Sequence, residues 1–176
     1  ADSMTNVTAR GLRDACGLFG TGVNVISTRH SDGDHGMTAN AFMSVSLDPP
    51  LISISIGQNA KMLPLLHKAG RFAVSTLSEG MEGLAWHFAG RPDASLSDPF
   101  ENLDDLPVIR GALACYACDV VNAIEAGDHT IFIGEVRGLS TDSGARPLIF
   151  YKGRFGAVAG QIPAPELCDP VAEAIW

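Results

Sequence analysis

Apolar residues follow two spacings along this chain, one typical of helices and one typical of strands. Apolar positions three and four residues apart predict short helices. These lie at 8–19, at 59–69 with its first turn near Met62 or Leu63 because of Pro64, and at 81–88. Runs rich in β-branched and aromatic residues, bounded by Gly, Pro and Asp, predict about eight strands. They lie at 23–28, 35–39, 44–47, 51–56, 72–77, 112–126, 130–139 and 147–151, with a last short strand around Phe155.

The run 51–56 has the clearest strand alternation in the chain. Ile52, Ile54 and Ile56 fall on one face, and Ser53 and Ser55 fall on the other. We therefore expect one face to pack in a core and the other to be able to hydrogen-bond to a ligand or to solvent.

Short links between the predicted strands favour antiparallel pairing, and the regular strand-helix-strand alternation of a parallel sheet does not occur. The expected fold class is mainly β, a split β-barrel with two or three short helices, since a barrel leaves no exposed sheet edge. We expect one domain over 1–176, with its core at about 12–157 and a C-terminal tail at 158–176. The polar segment 90–105 is predicted to be a long loop, and long loops in compact domains are often functional.

Composition narrows the function classes. The chain has 176 residues, 46% of them hydrophobic, which is enough to bury a core and argues against disorder. Twelve basic residues against twenty acidic ones give a net charge of -8, so nucleic acid is not an expected partner. No apolar run approaches the length of a membrane span, and no signal peptide is recognisable. We expect a soluble, cytoplasmic protein without a membrane partner.

Cys115 and Cys118 form a C-x-x-C motif, which in other settings binds metal or performs redox chemistry. Here the motif lies inside an apolar run with strand character, where positions three apart point to opposite faces. We therefore interpret both as small buried side chains. The five histidines lack metal-ligand spacing, so no metal site is expected.

Motifs for covalent hydrolysis, for a phosphate-binding loop and for a Rossmann dinucleotide fold do not occur in the chain. Serines and threonines at strand ends remain, and they suit a cofactor that performs the chemistry itself. Three segments have this character: Gly36-Met-Thr-Ala-Asn-Ala-Phe followed by Ser44-Val-Ser-Leu-Asp-Pro-Pro, Ser53 and Ser55 leading into Gly57-Gln-Asn-Ala-Lys, and Glu125-Ala-Gly-Asp-His. Taken singly, each also fits ordinary strand capping, a solvated helix cap or turn chemistry.

In this order the segments resemble the short-chain flavin reductase family, the reductase components of two-component flavin-dependent monooxygenases. The similarity spans about 12–155. It is carried by Phe19-Gly-Thr-Gly-Val, by the two segments that begin at Gly36 and Ser44, by Phe72-Ala-Val-Ser-Thr-Leu, by Gly127-Asp-His-Thr-Ile-Phe-Ile-Gly-Glu-Val and by Pro147-Leu-Ile-Phe-Tyr.

The resemblance implies a split barrel, usually a homodimer, that binds FMN or FAD, oxidises NADH or NADPH and supplies reduced flavin to a monooxygenase. It also implies site residues. Those expected along the isoalloxazine and ribityl groups are Thr38, Ala39, Asn40, Ser44, Val45, Ser46 and Leu47. Ser55, Asn59 and Lys61 would lie near the flavin phosphate, His129 would orient the nicotinamide as the catalytic residue, and Phe155 would close the pocket.

Two alternatives stay open at this point. One is a flavoenzyme on the same barrel that keeps a tightly bound FMN and reduces or oxidises an organic substrate directly. The other is a flavin-binding module without catalytic activity. The residues also leave open the choice between FMN and FAD, the choice between NADH and NADPH, and the identity of the monooxygenase.

Overall fold

The structure is a computed structural model that describes residues 6–160. Within this range lie three helices, α1 (Ala9–Cys16), α2 (Met62–Ala69) and α3 (Glu82–His87). The strands are β1 (Thr21–Gly22), β2 (Asn24–His30), β3 (Gly33–Ala39), β4 (Phe42–Leu47), β5 (Pro50–Gly57), β6 (Arg71–Thr76), β7 (Phe100–Leu103), β8 (Leu106–Ile109), β9 (Ala114–Ala126), β10 (His129–Thr141), β11 (Leu148–Tyr151) and β12 (Arg154–Ala157). Most of the predicted tail, from residue 161 onward, lies outside the described residues.

The helices form where the apolar spacing predicts them, and local capping explains where two of them begin or end. Thr8 caps α1, because its Oγ1 accepts a hydrogen bond of 3.0 Å from the Gly11 amide. α2 begins at Met62 and carries Pro64 in its first turn, as expected. It ends at Gly70, whose φ of 65° is in the left-handed region that glycine adopts readily.

Seven strands form the main sheet, in the order β3-β2-β6-β9-β10-β5-β4, and every pairing is antiparallel. A three-stranded sheet, β1-β11-β12, and the β7-β8 hairpin complete the strands of residues 6–160. The expected mainly antiparallel β class with three short helices is confirmed.

The edges of the main sheet show how it must curve. β3 and β4 are its two edge strands, yet only Asn40 and Ala41 separate them in the chain. In a flat seven-stranded sheet they would lie about 29 Å apart, from six spacings of about 4.8 Å. The link from Ala39 to Phe42 spans at most about 11 Å. The sheet therefore curls until its edges approach each other, which is the geometry expected of a split barrel.

The prediction was wrong between residues 90 and 109. A single loop was expected over 90–105, but β7 begins at Phe100 and pairs with β8 after a turn at Asp104 and Asp105. Both turn residues have positive φ values, 48° and 63°, a conformation usually associated with Asn-Gly. Pro107 lies in β8, and a two-stranded hairpin tolerates proline because both of its strands are edges.

Two buried clusters lie on opposite faces of the main sheet. One contains Phe72, Phe132 and the three isoleucines of β5, and α2 packs against it. The other packs beneath β8, α3 and β11, and it contains Val25 and Leu148. The predicted apolar face of β5 is thus confirmed. On the opposite face Ser53 is buried and Ser55 is half-buried.

The interpretation of the C-x-x-C motif is also confirmed. Cys115 belongs to one cluster and Cys118 to the other, so the sheet separates the two free thiols. Burial raises the pKa of Cys118 to about 12, because an apolar surrounding disfavours the thiolate. Neither thiol is placed for metal or disulfide chemistry.

Candidate functional site

A cleft of about 250 Å³ opens where β3 ends. The last two residues of β3 and the following Asn40 form one wall, while α3 and the β11-β12 hairpin form the others. Its lining residues are Val23, Thr38, Ala39, Asn40, Trp86, Ala89, Phe150 and Phe155.

Three aromatic rings give this cleft flat, apolar walls. The Trp86 and Phe155 ring centroids are 5.1 Å apart with the rings edge to face, and those of Phe150 and Phe155 are 5.7 Å apart. Phe150 and Phe155 are opposite each other in the β11-β12 ladder, so their side chains project to the same side of the hairpin. Such walls suit a planar heterocyclic ligand.

β3 holds α3 in place at the edge of the cleft. The Thr38 hydroxyl donates a 2.7 Å hydrogen bond to the Ala85 carbonyl, and the Thr38 amide donates to the Phe88 carbonyl at 3.0 Å. A Cβ at Gly36 would lie 2.8 Å from the Phe88 ring, so only glycine lets the helix approach this closely. Thr38 therefore fixes the position of Trp86 in addition to lining the cleft.

An unpartnered hydroxyl lies beside the same wall. Among the buried side-chain polar atoms of residues 6–160, Thr21 Oγ1 is the one without a hydrogen-bond partner. Thr21 pairs with Phe150 across β1 and β11, which places its side chain on the same face as that ring. A buried hydroxyl without a partner is unfavourable, and a bound polar ligand can satisfy it.

The segment Ser44 to Leu47 lies on β4, an edge strand, and contains a bulge. Ser44 pairs with Ile52, but Ser46 pairs with Leu51. Ile52 and Leu51 point to opposite faces of β5, so the two serines also face opposite sides. Simple alternation along Ser-Val-Ser-Leu would place both hydroxyls on one face.

A second group of polar residues gathers where β5 ends beside the β9-β10 turn. Gly57 pairs with His129, and a Cβ at Gly57 would lie 3.8 Å from His129 Nε2. The Gln58 side chain donates to the His129 carbonyl at 3.3 Å and to Thr130 Oγ1 at 3.2 Å. These contacts fix the turn against the segment that carries Asn59 and Lys61.

His129 itself is half exposed and bonds to its neighbour in the turn. Its Nδ1 lies 2.7 Å from Asp128 Oδ1. This hydrogen bond lowers the pKa of the Asp128 carboxyl from its usual value. The contact holds one ring nitrogen and leaves Nε2 on the side of Gly57.

Within residues 6–160, no group of three or more His, Cys, Asp or Glu side chains is placed to hold a metal ion. In the same range, no helix has the length and apolar character needed to span a membrane.

Comparison with known proteins decides the family. The model of the flavin reductase like domain matches residues 16–159. The chain belongs to the flavin reductase-like family.

Individual relatives of this flavin reductase-like chain match over most of their length. An NADH-dependent flavin reductase of a Rhodococcus species is 43% identical over 152 residues, which cover 85% of this chain and 86% of the relative. The reductase component of 4-hydroxyphenylacetate 3-monooxygenase from Thermus thermophilus is 39% identical over 141 residues, covering 80% and 91%. The structure of flavin reductase PheA2 in its native state superposes with a TM-score of 0.84 at 45% identity, covering 88% of this chain and all of that one.

The residues predicted for the site of this flavin reductase-like chain fall into three places. Thr38, Ala39, Asn40 and Phe155 line the aromatic cleft. Ser55 and His129 lie at the adjoining ends of β5 and β10, Asn59 and Lys61 lie between β5 and α2, and Ser44 to Leu47 form the β4 edge. The described cleft is not lined by residues of the second and third groups.

Sequence reasoning missed Val23, Trp86, Ala89 and Phe150 as lining residues. A signal for Phe150 was present, because a tight hairpin at Lys152 and Gly153 places residues 150 and 155 opposite each other. No comparable signal existed for Trp86, since its position depends on how β3 holds α3.

Proposed function

We propose that this chain is an NADH-dependent flavin reductase that transfers hydride from NADH to FMN or FAD and supplies the reduced flavin to a monooxygenase. The observation that carries the proposal is the aromatic cleft at the end of β3, in a chain that matches named flavin reductases over most of its length. A cofactor of this kind explains why the chain lacks the motifs of covalent catalysis.

The residues present fit a flavin. Trp86, Phe150 and Phe155 provide flat apolar surfaces for a tricyclic ring, and the exposed Asn40 provides an amide at its edge. The unpartnered Thr21 hydroxyl beside Phe150 supplies a further polar group at this wall. When bound, the flavin accepts a hydride from the nicotinamide and so supplies the redox chemistry.

We assign the predicted residues to parts of this ligand. Thr38, Ala39 and Asn40 would line the isoalloxazine, and the β4 segment from Ser44 through Val45 and Ser46 to Leu47 would follow the ring and ribityl chain. Phe155 would close the pocket. Ser55, Asn59 and Lys61 would lie near the flavin phosphate, where the exposed Lys61 offers a cation. The bulge in β4 supports this assignment, because it leaves one serine hydroxyl on each face of the strand.

His129 is proposed to orient the nicotinamide. Its Nδ1 is held by Asp128, so the ring has a fixed direction, and its Nε2 remains free to contact a carboxamide. Hydride transfer requires two flat rings to be held in contact, and a positioned imidazole contributes to that geometry. Hydride transfer moves no proton to or from the nicotinamide, so the role proposed for His129 is contact with the nicotinamide.

We further propose a homodimer. The face of β4, β5, β10 and β9 that points away from α2 carries Met43, Ile124, Ile131 and Ile133, and Met43 and Ile124 are exposed. The helix α1 has no buried residue and exposes Leu12, so it offers a second contact surface for pairing. Symmetric pairing of two copies would bury both.

The chain is proposed to be a single domain over 1–176 that works in the cytoplasm. The two core clusters share one sheet, which argues for one folding unit. Regeneration of NADH in the cytoplasm and the free thiols of Cys16, Cys115 and Cys118 support this location.

Steady-state oxidation of NADH tests the proposal. Protein stripped of bound flavin is assayed in air by the near-ultraviolet absorbance of NADH, without flavin, with FMN and with FAD. The proposal predicts a rate that rises and saturates with added flavin, and the better substrate identifies the preferred flavin.

Two other results would contradict it. NADH consumption only in the presence of an organic acceptor would mean a tightly bound FMN that serves a direct reductase. Tight flavin binding without any NADH oxidation would mean a binding module.

A further inference from the structure

A group of cations lies at the edge of the aromatic cleft. Lys152 and Arg154 lie in the turn and second strand of the β11-β12 hairpin, and with Tyr151, Phe155 and Gly156 they line a hollow that meets the cleft at Phe155. The Arg91 guanidinium carbon lies 4.5 Å from the centroid of the Trp86 ring, on the α3 side of the same cleft. We call Arg91, Lys152 and Arg154 the basic rim.

The basic rim differs from the arginines that bind carboxylates. Arg29, Arg71, Arg110, Arg137 and Arg146 each pair with a carboxylate. Within residues 6–160 the three cations of the rim form no ion pair with Asp or Glu.

Arg13, Lys61 and Lys68 also form no ion pair within residues 6–160, so the basic rim is distinguished by its position beside the aromatic cleft. An aromatic ring also lies beside two cations of the rim. Lys152 Nζ lies 5.4 Å from the centroid of the Tyr151 ring, so the hollow combines two positive charges with an exposed aromatic ring. This combination suits a ligand that carries both phosphate groups and a base, because cations bind the phosphates and aromatic rings stack on the base.

We propose that the basic rim binds the diphosphate of a dinucleotide, FAD or NADH, whose redox-active ring lies in the aromatic cleft. The inference rests on the proposed flavin reductase activity and adds the site for the part of the substrate that does not react. The diphosphate site at the basic rim is distinct from the site for the single phosphate of FMN, which we assign to Lys61.

The test uses the full chain with Lys152→Asn and Arg154→Gln combined. Lys152 has a φ of 50°, and asparagine tolerates this left-handed conformation, so the hairpin turn is kept. The matched control combines Arg10→Gln with Lys68→Gln, which removes the same charge from exposed positions on α1 and α2. Binding of FAD, FMN and ADP-ribose is measured by fluorescence and calorimetric titration, alongside NADH oxidation with each flavin.

The rim variant is expected to weaken binding of one dinucleotide about tenfold, as loss of charge-assisted contacts to phosphate would do. Weaker FAD binding with unchanged FMN and ADP-ribose binding identifies the FAD diphosphate. Weaker ADP-ribose binding, with a higher KM for NADH whichever flavin is used, identifies the NADH diphosphate. In either case high ionic strength reduces the difference between wild type and variant.

Three results would overturn the inference: unchanged binding of both dinucleotides, an equal loss of FMN binding, or the same losses in the control variant. The proposed activity is judged separately, from the oxidation of NADH by the wild-type protein, whereas the inference about the rim is judged from the difference in binding between wild type and variant. Wild-type protein that binds FAD but never oxidises NADH would refute the activity, while the binding titrations would still decide the rim.

Discussion

The hydrogen bond from Thr38 to the Ala85 carbonyl provides a direct test of how the cleft is built. We predict that Thr38→Val destabilises the protein and weakens flavin binding, whereas Thr38→Ser changes both much less. Valine has almost the same shape as threonine but cannot donate, so the Ala85 carbonyl loses its 2.7 Å partner. Ala85 is fully buried, which limits replacement of that partner by water.

Leaving a buried acceptor without a partner costs about 1–3 kcal/mol. For a chain of this size each kcal/mol lowers the melting temperature by about 2–4 °C. The functional effect has the same origin. α3 is a short helix of six residues, and with a weaker attachment to β3 it holds Trp86 less firmly against Phe155.

Thermal unfolding and flavin titration measure the two effects on the same samples. The expected pattern is a lower melting temperature and a higher flavin Kd in Thr38→Val, with Thr38→Ser close to wild type. A valine variant with wild-type melting temperature and wild-type flavin affinity would refute the positioning role. Loss of affinity in Thr38→Ser alone, without a change in stability, would mean that the methyl group of Thr38, which valine keeps and serine lacks, contacts the ligand instead.

Three further predictions concern other parts of the molecule. His129→Ala should raise the KM for NADH about fivefold, as expected for loss of about 1 kcal/mol of contact, with a smaller change in kcat; an unchanged KM would contradict the assigned role. Gly134→Ala should lower the free energy of unfolding by about 1–3 kcal/mol through overpacking, because the new Cβ would lie 2.5 Å from Phe72 Cζ. The control is Gly83→Ala, whose Cβ would meet open space. In denaturant titrations the control should be as stable as wild type. Folding raises the pKa of Cys118 from 9.0 to about 12, so between these pH values unfolding releases a proton. The free energy of unfolding should therefore fall as the pH rises from 9 to about 12. An equally steep fall in Cys118→Ala would disprove this.

The elements that sequence reasoning located correctly are those whose local pattern agrees with their surroundings. β5 has strict alternation and one buried face, so its pattern follows directly from the sheet. The β2-β3 hairpin and the long β9-β10 hairpin are marked by turn residues between apolar runs. In these segments local propensity and tertiary packing favour the same structure.

The parts that escaped prediction depend on contacts between distant residues. The β7-β8 hairpin uses an Asp-Asp turn and a strand proline, which locally favour a loop. The bulge at Val45 has no mark in the sequence, although it decides which way Ser44 and Ser46 face. Trp86 enters the cleft only because Thr38 and Gly36 hold α3 close to β3.

The separation of the two buried thiols has a consequence for an enzyme that works in air. Reduced flavin reacts with dioxygen to give hydrogen peroxide, so a flavin reductase is exposed to an oxidant of its own making. Peroxide attacks the thiolate, and a thiol that remains neutral and enclosed is a poor target. Cys118 stays protonated at neutral pH, and the sheet prevents it from joining Cys115 in a disulfide. Among the three cysteines of residues 6–160, we therefore expect peroxide to oxidise the exposed Cys16 first and to spare the two in the core.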